Sequence, residues 1–436
     1  MVTKPAHIDI ASAKSTTGNA VGSPLCEYRH ARAAFFARHA SRWPGTLYDP
    51  FDILAPRAIT RGDAREIFEA TDGVAHIYRR AAELLRRLPS AALVEMGVPD
   101  HMQLAVGCGI SGIPDCLIGR VDLAHTNDGY KLLEFNAEAP GLVVEAFSVN
   151  GHACRDAGSD DPNSESEERF RRALASSVRA GVQYVENKQQ RANVVVTSSD
   201  GPRDRAQANY VCKLLAEFSA EYFPVEDLHV NEEGIFDLAD RRIDVLYRSF
   251  PLQYMQSALS RSEKDSGQST TPDFILRLVE MRRLALINPP FSYLLENKGL
   301  QALIWNLFEV GSFFDEFDRR LIQRYMLPTY FDPSGDVDMY IMKPLYGAQG
   351  DSTKIINSDG LAIEAARLST FSDQPMIFQK YAELEEETIM TEYGPRRLHL
   401  VTSCFLISGT TTGICMRAGQ RITDDSAWVL PVCLSP

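Results

Sequence analysis

No apolar run in the 436-residue chain approaches the roughly 18 residues a membrane-spanning helix needs, and the N-terminal stretch lacks the apolar core of a secretory leader. No membrane partner is expected. Positive charge is also scarce: 45 lysines and arginines face 58 aspartates and glutamates, a net charge of −13. That balance argues against nucleic acid or an anionic membrane as a general partner, while a local basic site remains open. The eight cysteines are scattered, with no CxxC pair and no Cys/His cluster at zinc spacing. They read as reduced, mostly buried thiols, and the expected localisation is cytoplasmic. The turn SSDGPRDR at 198–205 lacks the GxGxxG spacing of a dinucleotide site, and no repeat of solenoid period is evident. What is present is an ordinary globular composition, 44% hydrophobic and 24% charged. A chain of this length can bury a sizeable core as several domains or one composite unit.

Residues 1–24 are small, polar and poorly periodic, which predicts a flexible arm. Over 25–110, stretches such as EYRHARAAFFARHASRW carry apolar residues three and four apart, the spacing of amphipathic helices. Segment 111–155 holds a hairpin, and 156–290 reads as an α/β unit entered through the polar loop DAGSDDPNSESEE and containing a second loop over 260–273. Segment 291–436 returns to strands and glycine turns.

The hairpin RVDLAHTNDGYKLLEFNAEAPG begins at Arg120. A three-residue loop ending in a left-handed Gly129 pairs Thr126 with Tyr130, and therefore Asp122 with Glu134 and Arg120 with Asn136. Alternation puts those four residues on one face, with Val121, Leu123, Leu133 and Phe135 on the other. Opposed carboxylates repel, so something positive should sit between them. Asp122, Glu134 and the Asn136 amide suit a hard cation such as magnesium, which brings substrate phosphates with it. A solvated hairpin neutralised by Arg120 is the other reading, and the hairpin alone does not choose.

A second group of chemistry-bearing residues lies in the last third. Lys298 opens a helix-like stretch, and Lys343 ends a strand before a loop with Gly347, Gly350, Ser352 and Thr353. Such a loop can wrap backbone N–H groups around a phosphate, although a surface lysine beside a tight turn has the same appearance. Three strand-like runs follow, carrying Gln379, Lys380 and Tyr381 in the first and Arg417 in the last.

Together these pieces resemble the glutathionylspermidine synthase-like family of the ATP-grasp superfamily. The family's R-x-D then E-x-N hairpin is matched by Arg120, Asp122, Glu134 and Asn136, and its K-L-L-E-Y-N-A-D phrase by KLLEFNAE. Asn297 and Lys298 before a tryptophan-bearing helix, Lys343 and Pro344 before the glycine loop, Gln379 and Arg417 complete the pattern over about 100–436. The hairpin precedes the lysine strands, an order implying a circularly permuted chain. The implied fold is α/β (α+β): an ATP-grasp fold, circularly permuted, with a helical N-terminal region and a preceding α/β substrate subdomain. The resemblance also implies ATP and two magnesium ions, the latter held by Asp122, Glu134 and Asn136. In this scheme Arg120 bonds the transferred phosphoryl group or the tetrahedral intermediate, Lys298 and Lys343 meet the α and β phosphates, and Arg417 lies near them. The loop with Gly347, Gly350 and Ser352 closes over the nucleotide, while Gln379, Lys380 and Tyr381 meet adenine. The implied reaction joins a small-molecule acid to an amine through an acyl phosphate.

Two departures bear on substrate. Family members that make glutathionylspermidine carry serines after E-x-N and an arginine in the glycine loop; here those positions are Ala139, Gly141 and Ala348. Glutathionylspermidine synthesis is therefore not expected. Arg248, at the end of the strand LYRSFP, is a candidate anchor for the substrate carboxylate or a structural arginine. The acidic run ELEEE at 383–387 could attract a cationic amine or simply be a solvated face. A nucleotide-binding partner subunit without catalysis, and a ligase that loads a carrier protein, are the competing expectations.

Overall fold

The computed structural model describes residues 23–39, 52–186, 191–231, 233–255, 258–259, 271–333 and 338–435. The predicted arm over 1–24 and the loop over 260–273 lie almost wholly outside those residues. Among the described residues no helix is long and apolar enough to cross a membrane.

The helical entry is built on the helix Arg61–Leu85. Thr60 and Asp63 start it with a reciprocal capping box, the Thr60 hydroxyl accepting the Asp63 N–H at 3.0 Å and the Asp63 carboxylate the Thr60 N–H at 2.9 Å. Its apolar stripe, including Ile67, Val74, Ile77 and Tyr78, is buried. Gly73 lets a second helix, Glu316–Tyr325, come close, because a Cβ there would meet the Tyr325 ring at 2.7 Å.

Three sheets follow. A parallel sheet orders Glu221–Pro224, Val194–Ser198, Val245–Arg248 and Ala285–Ile287. Its strand Val194–Ser198 is buried throughout, which is why the sequence shows VVV rather than an alternation. An antiparallel sheet orders Trp428–Leu430, Thr410–Gly419, Gly394–Ile407, Ile118–Thr126 and Gly129–Asn136, with Glu386–Thr391 paired to the outer part of Gly394–Ile407. A third, also antiparallel, orders Thr329–Tyr330, Met376–Lys380, Tyr340–Pro344, Lys354–Ile356 and Ala362–Ala365. Separately, Arg57–Ile59 lies parallel to Val432–Leu434.

The predicted hairpin forms, with one correction. Gly129 is left-handed at φ 84°, but the strands pair Thr126 with Gly129 and His125 with Tyr130, one residue away from the expected register. A β-bulge beside Asp122 then absorbs one residue, Leu133, so Asp122 faces Glu134 and Arg120 faces Asn136 as expected. The bulge also overturns one assignment of faces. Val121, Leu123, Leu132 and Phe135 are buried in the main core, whereas Leu133 packs with Ala124, Leu327, Ala382, Leu384 and Val401 and lines a cavity beside Asp122.

Candidate active site

Asp122 is the electrostatic centre, 1% exposed. Arg120 grips it with a two-pronged fork, Nε to Oδ1 at 2.8 Å and Nη2 to Oδ2 at 2.9 Å. Ser403, its cross-strand neighbour, donates its hydroxyl to Oδ1 at 2.7 Å, and Arg417 reaches over from the next strand to donate to Oδ2 at 2.6 Å. Burial alone would raise this carboxyl's pKa, but the two guanidiniums and the hydrogen bonds hold it well below the usual range. The Asn136 amide donates to the same Oδ2 at 3.2 Å, so the predicted quartet is one cluster.

Two lysines converge from other elements. Lys298 precedes the helix Gly299–Val310, whose first N–H is capped by the Asn297 side-chain oxygen at 2.7 Å. Its ammonium donates to the Gly347 carbonyl at 3.0 Å and lies 3.5 Å from the Glu134 carboxylate. Lys343, on the central strand Tyr340–Pro344, donates to the carbonyl of the bulged Leu133 at 3.0 Å and to Gln379 Oε1 at 2.8 Å. Burial lowers its pKa to about 8, with Glu134 pulling up and Lys298 pushing further down. Both lysines, Asp122, Glu134 and Arg417 line one cavity.

The walls of that cavity divide its chemistry. Leu133, Ile341, Ala382, Leu384, Val401 and Ile422 make an apolar slot beside the charged end. Gly347 and Gly350 form one lip, with Ile422 against Gly350; Gly350 has φ 69°, and a Cβ there would stand 2.6 Å from the Thr423 carbonyl. The cavity they border measures ≈ 90 Å³. Arg417 Nε and Thr423 Oγ1 are buried without a hydrogen-bond partner, and both residues face this space. An anion supplying acceptor oxygens would satisfy them.

Six expected contacts fall elsewhere. Arg120 and Asn136 stand behind Asp122 and do not line the cavity, Arg120 with its remaining Nη1 on the Gly141 carbonyl at 3.2 Å. Arg248 is fully buried in an ion pair with Glu138 at 2.6 Å, donating also to the Phe250 and Asn288 carbonyls and the Ser292 hydroxyl. The carboxylate it anchors is the protein's own. Ser352 turns into its loop, donating to Asp351 and accepting the Phe371 N–H, so it braces the glycine loop rather than facing the cavity. Gln379 lies behind Lys343 instead of in the slot. Lys380 is exposed and lines a neighbouring groove, while Tyr381 does reach the cavity, accepting from Arg421 Nε at 3.1 Å. Ala348 borders a separate space lined by Tyr254, Asp351 and Phe371.

Other contributors carried no sequence motif. Ser403 is one of many strand serines until its register places it opposite Asp122. Asn288 fastens the parallel sheet to the hairpin base, accepting from Leu117 N–H at 2.7 Å and donating to the carbonyls of Ile118, Ala137 and Glu138. Glu296 accepts the N–H groups of Ala137 and Glu138 just past the E-x-N, and burial with Glu138 nearby raises its pKa to about 7.

Among the described residues no three His, Cys, Asp or Glu side chains gather as a metal cage. Asp122, Glu134 and Asn136 carry the oxygens that suit magnesium, but here both Asp122 oxygens accept from Arg120, Ser403, Arg417 and Asn136, so a cation would take them only as those bonds give way. Lys298, Lys343, Arg417 and Arg421 in the lining, with Arg120 behind them, outnumber the carboxylates of Asp122, Glu134 and Asp351, so the site as a whole favours an anion.

Fold and site together define a mixed α/β protein with a charged, cation-rich cavity between its sheets. Residues 53–435 match the glutathionylspermidine synthase preATP-grasp family, and the chain belongs to that family. A Haemophilus influenzae protein bearing the provisional name acid–amine ligase is 23% identical over 285 residues, 62% of this chain. The chain spans 63% of the length of that curated relative. A glutathione synthetase-like effector of Globodera pallida, solved in its apo form, superposes with a TM-score of 0.52 at 12% identity, covering 97% of this chain and 99% of its own.

Proposed function

We propose that the protein is an ATP-dependent, ADP-forming acid–amine ligase acting on small-molecule substrates. The observation that carries this reading is the convergence of Asp122, Glu134, Lys298, Lys343 and Arg417 on one cavity that also has apolar walls and two unpartnered donors. A nucleoside triphosphate matches that polarity, its base in the slot and its phosphates among the cations. The names of the family and of the curated relative support ligation as the reaction class. The hairpin's place ahead of the lysine strands supports a permuted chain order.

Asp122, Glu134 and Asn136 would hold two magnesium ions, which neutralise phosphate charge and align the terminal phosphoryl group. Lys298 and Lys343 bind the phosphates from opposite sides, and the glycine loop excludes water. A free carboxylate resists amines because oxide is a poor leaving group; transfer of the terminal phosphoryl to it gives an acyl phosphate and ADP. The amine then attacks the acyl carbon, phosphate departs, and the amine's proton goes to solvent. Arg417, with Nε unpartnered, is placed to receive charge on the transferring group. Ala139, Gly141 and Ala348 lead us to a substrate acid other than glutathione.

Purified protein incubated with Mg-ATP and pools of acids and amines is expected to release phosphate and yield a product heavier than its acid by the amine minus water. Asp122→Asn should lower the rate at least about 100-fold, in line with loss of a metal-holding charge. Phosphate release no greater than in a protein-free control, with every pool, would overturn the reading.

A further inference from the structure

A chain of buried amides runs behind the phosphate-facing lysine. An ammonium can only donate, so the Gln379 atom 2.8 Å from Lys343 Nζ is the side-chain oxygen. That fixes the other end: Gln379 Nε2 donates to the Leu132 carbonyl at 3.3 Å and to Gln301 Oε1 at 2.7 Å. Gln301 must then present its oxygen to Gln379, which leaves its own Nε2 facing the carbonyl of the bulged Leu133 at 3.5 Å. The Leu133 carbonyl is also the second acceptor of Lys343. Behind Gln301 stands the Tyr78 hydroxyl of the long N-terminal helix, hydrogen-bonded to it.

We propose that Gln301 is a positioning residue: through Gln379 it sets where Lys343 presents its ammonium to a bound nucleotide. The inference rests on the ATP reading above. Gln301 and Gln379 are each 1% exposed, so neither can touch solvent or substrate and each needs its partners within the protein. If Gln301 loses its oxygen, Gln379 Nε2 keeps only the longer bond to Leu132, so the Gln379 oxygen still faces Lys343 but is no longer held in one place. Lys343, following that oxygen, shifts off its line. Every atom in the relay has one permissible polarity, so the arrangement transmits orientation from the helix Gly299–Val310 to the strand Tyr340–Pro344.

The test uses calorimetric titration of Mg-ATP into the full chain and a double-mutant cycle. Gln301→Met fills the same volume without an acceptor, and we expect it to weaken Mg-ATP binding about tenfold, the scale of one charged hydrogen bond. Lys343→Met should weaken binding at least as much. The double variant should bind no worse than Lys343→Met alone, since a relay with no lysine to place has nothing left to lose. Gln301→Glu, taken up protonated at this buried position, keeps an oxygen for Gln379 and an O–H for the Leu133 carbonyl, and should recover affinity to within about threefold of the parent. Additive losses in the cycle, or equal affinity of Gln301→Met and the parent, would overturn the proposal. So would failure of Gln301→Glu to recover binding while its melting temperature matches the parent; if Gln301→Met does not fold, this comparison alone decides. A parent protein that binds no Mg-ATP would instead refute the ATP reading.

Discussion

Lys343 holds its charge against burial, and the cavity lets that balance be measured. Its pKa of about 8 means that the empty site begins to lose this cation just above neutral pH. Bound phosphates would raise the value, so binding above pH 8 must take up a proton. The sign follows: Mg-ATP affinity should be nearly level from pH 6.5 to 7.5 and fall as pH rises through 8, approaching about tenfold per unit. Lys343→Met should flatten that limb, and calorimetry from pH 6.5 to 9.5 would show it; an unchanged limb in the variant would assign it to another group. At this scale the sequence was informative where residue type is nearly diagnostic. Asp122, Glu134, Lys298, Lys343 and Arg417 carry charge and were each singled out, and they do meet at one cavity. Gln379 and Ser352 were given ligand roles because a polar residue near a motif looks the same whether it faces the cavity or backs it. Arg248 has the same ambiguity, resolved by Glu138 lying 2.6 Å away.

Among the elements, the carboxylate hairpin shows how a right pairing can rest on an incomplete register. Alternation alone cannot see a bulge, because one extra residue leaves the pattern intact on either side of it. Here the turn is one residue tighter than the sequence suggests, and the bulge at Leu133 restores Asp122 opposite Glu134. The bulge does more than restore: its carbonyl receives Lys343, and its side chain walls the apolar slot. Deleting Leu133 should therefore keep the carboxylates paired, since Leu132 already faces Leu123 and Glu134 would follow directly. Lys343 would lose its carbonyl partner, and Mg-ATP affinity should drop about tenfold, the scale of one charge-assisted hydrogen bond. Undiminished affinity, with hydrogen exchange showing an intact hairpin, would remove the bulge from the account. The helical entry and the buried parallel strand were legible from periodicity and from VVV, both local signals. Which strands neighbour which was not: Asp122 pairs with Ser403 across the chain, and no local pattern encodes that choice.

For the molecule as a whole, the size of the cavity bears on entry. A volume of ≈ 90 Å³ is well below the roughly 300 Å³ at which ligand pockets begin, so we expect the third sheet and its glycine loop to withdraw as a nucleotide enters. Two exposed links oppose that opening. Arg367 pairs with Asp424 at 2.9 Å and Asp425 at 2.8 Å, and Arg421 with Glu364 at 3.6 Å, each joining the glycine-loop sheet to the segment after Gly419. Exposed pairs add little to stability, about 0–1 kcal/mol, but they are made or broken as the lip moves. Arg367→Ala should leave the melting temperature within a few degrees of the parent while speeding Mg-ATP association severalfold in stopped-flow measurements. Equal association rates would show that opening is controlled elsewhere.

The parallel pairing of Arg57–Ile59 with Val432–Leu434 brings the two borders of the family-matched segment side by side. Because those strands are parallel, a linker from 435 to 57 would have to run back the length of the pair, and a chain so joined could be opened at an exposed turn such as Gly409, between the strands Gly394–Ile407 and Thr410–Gly419. The rearranged gene would list the strand of Arg417 ahead of the carboxylate hairpin and the lysine strands, and is expected to assemble the same cavity. Assembly of the cavity would then depend on which strands pair across the fold and not on the order in which the chain lists them.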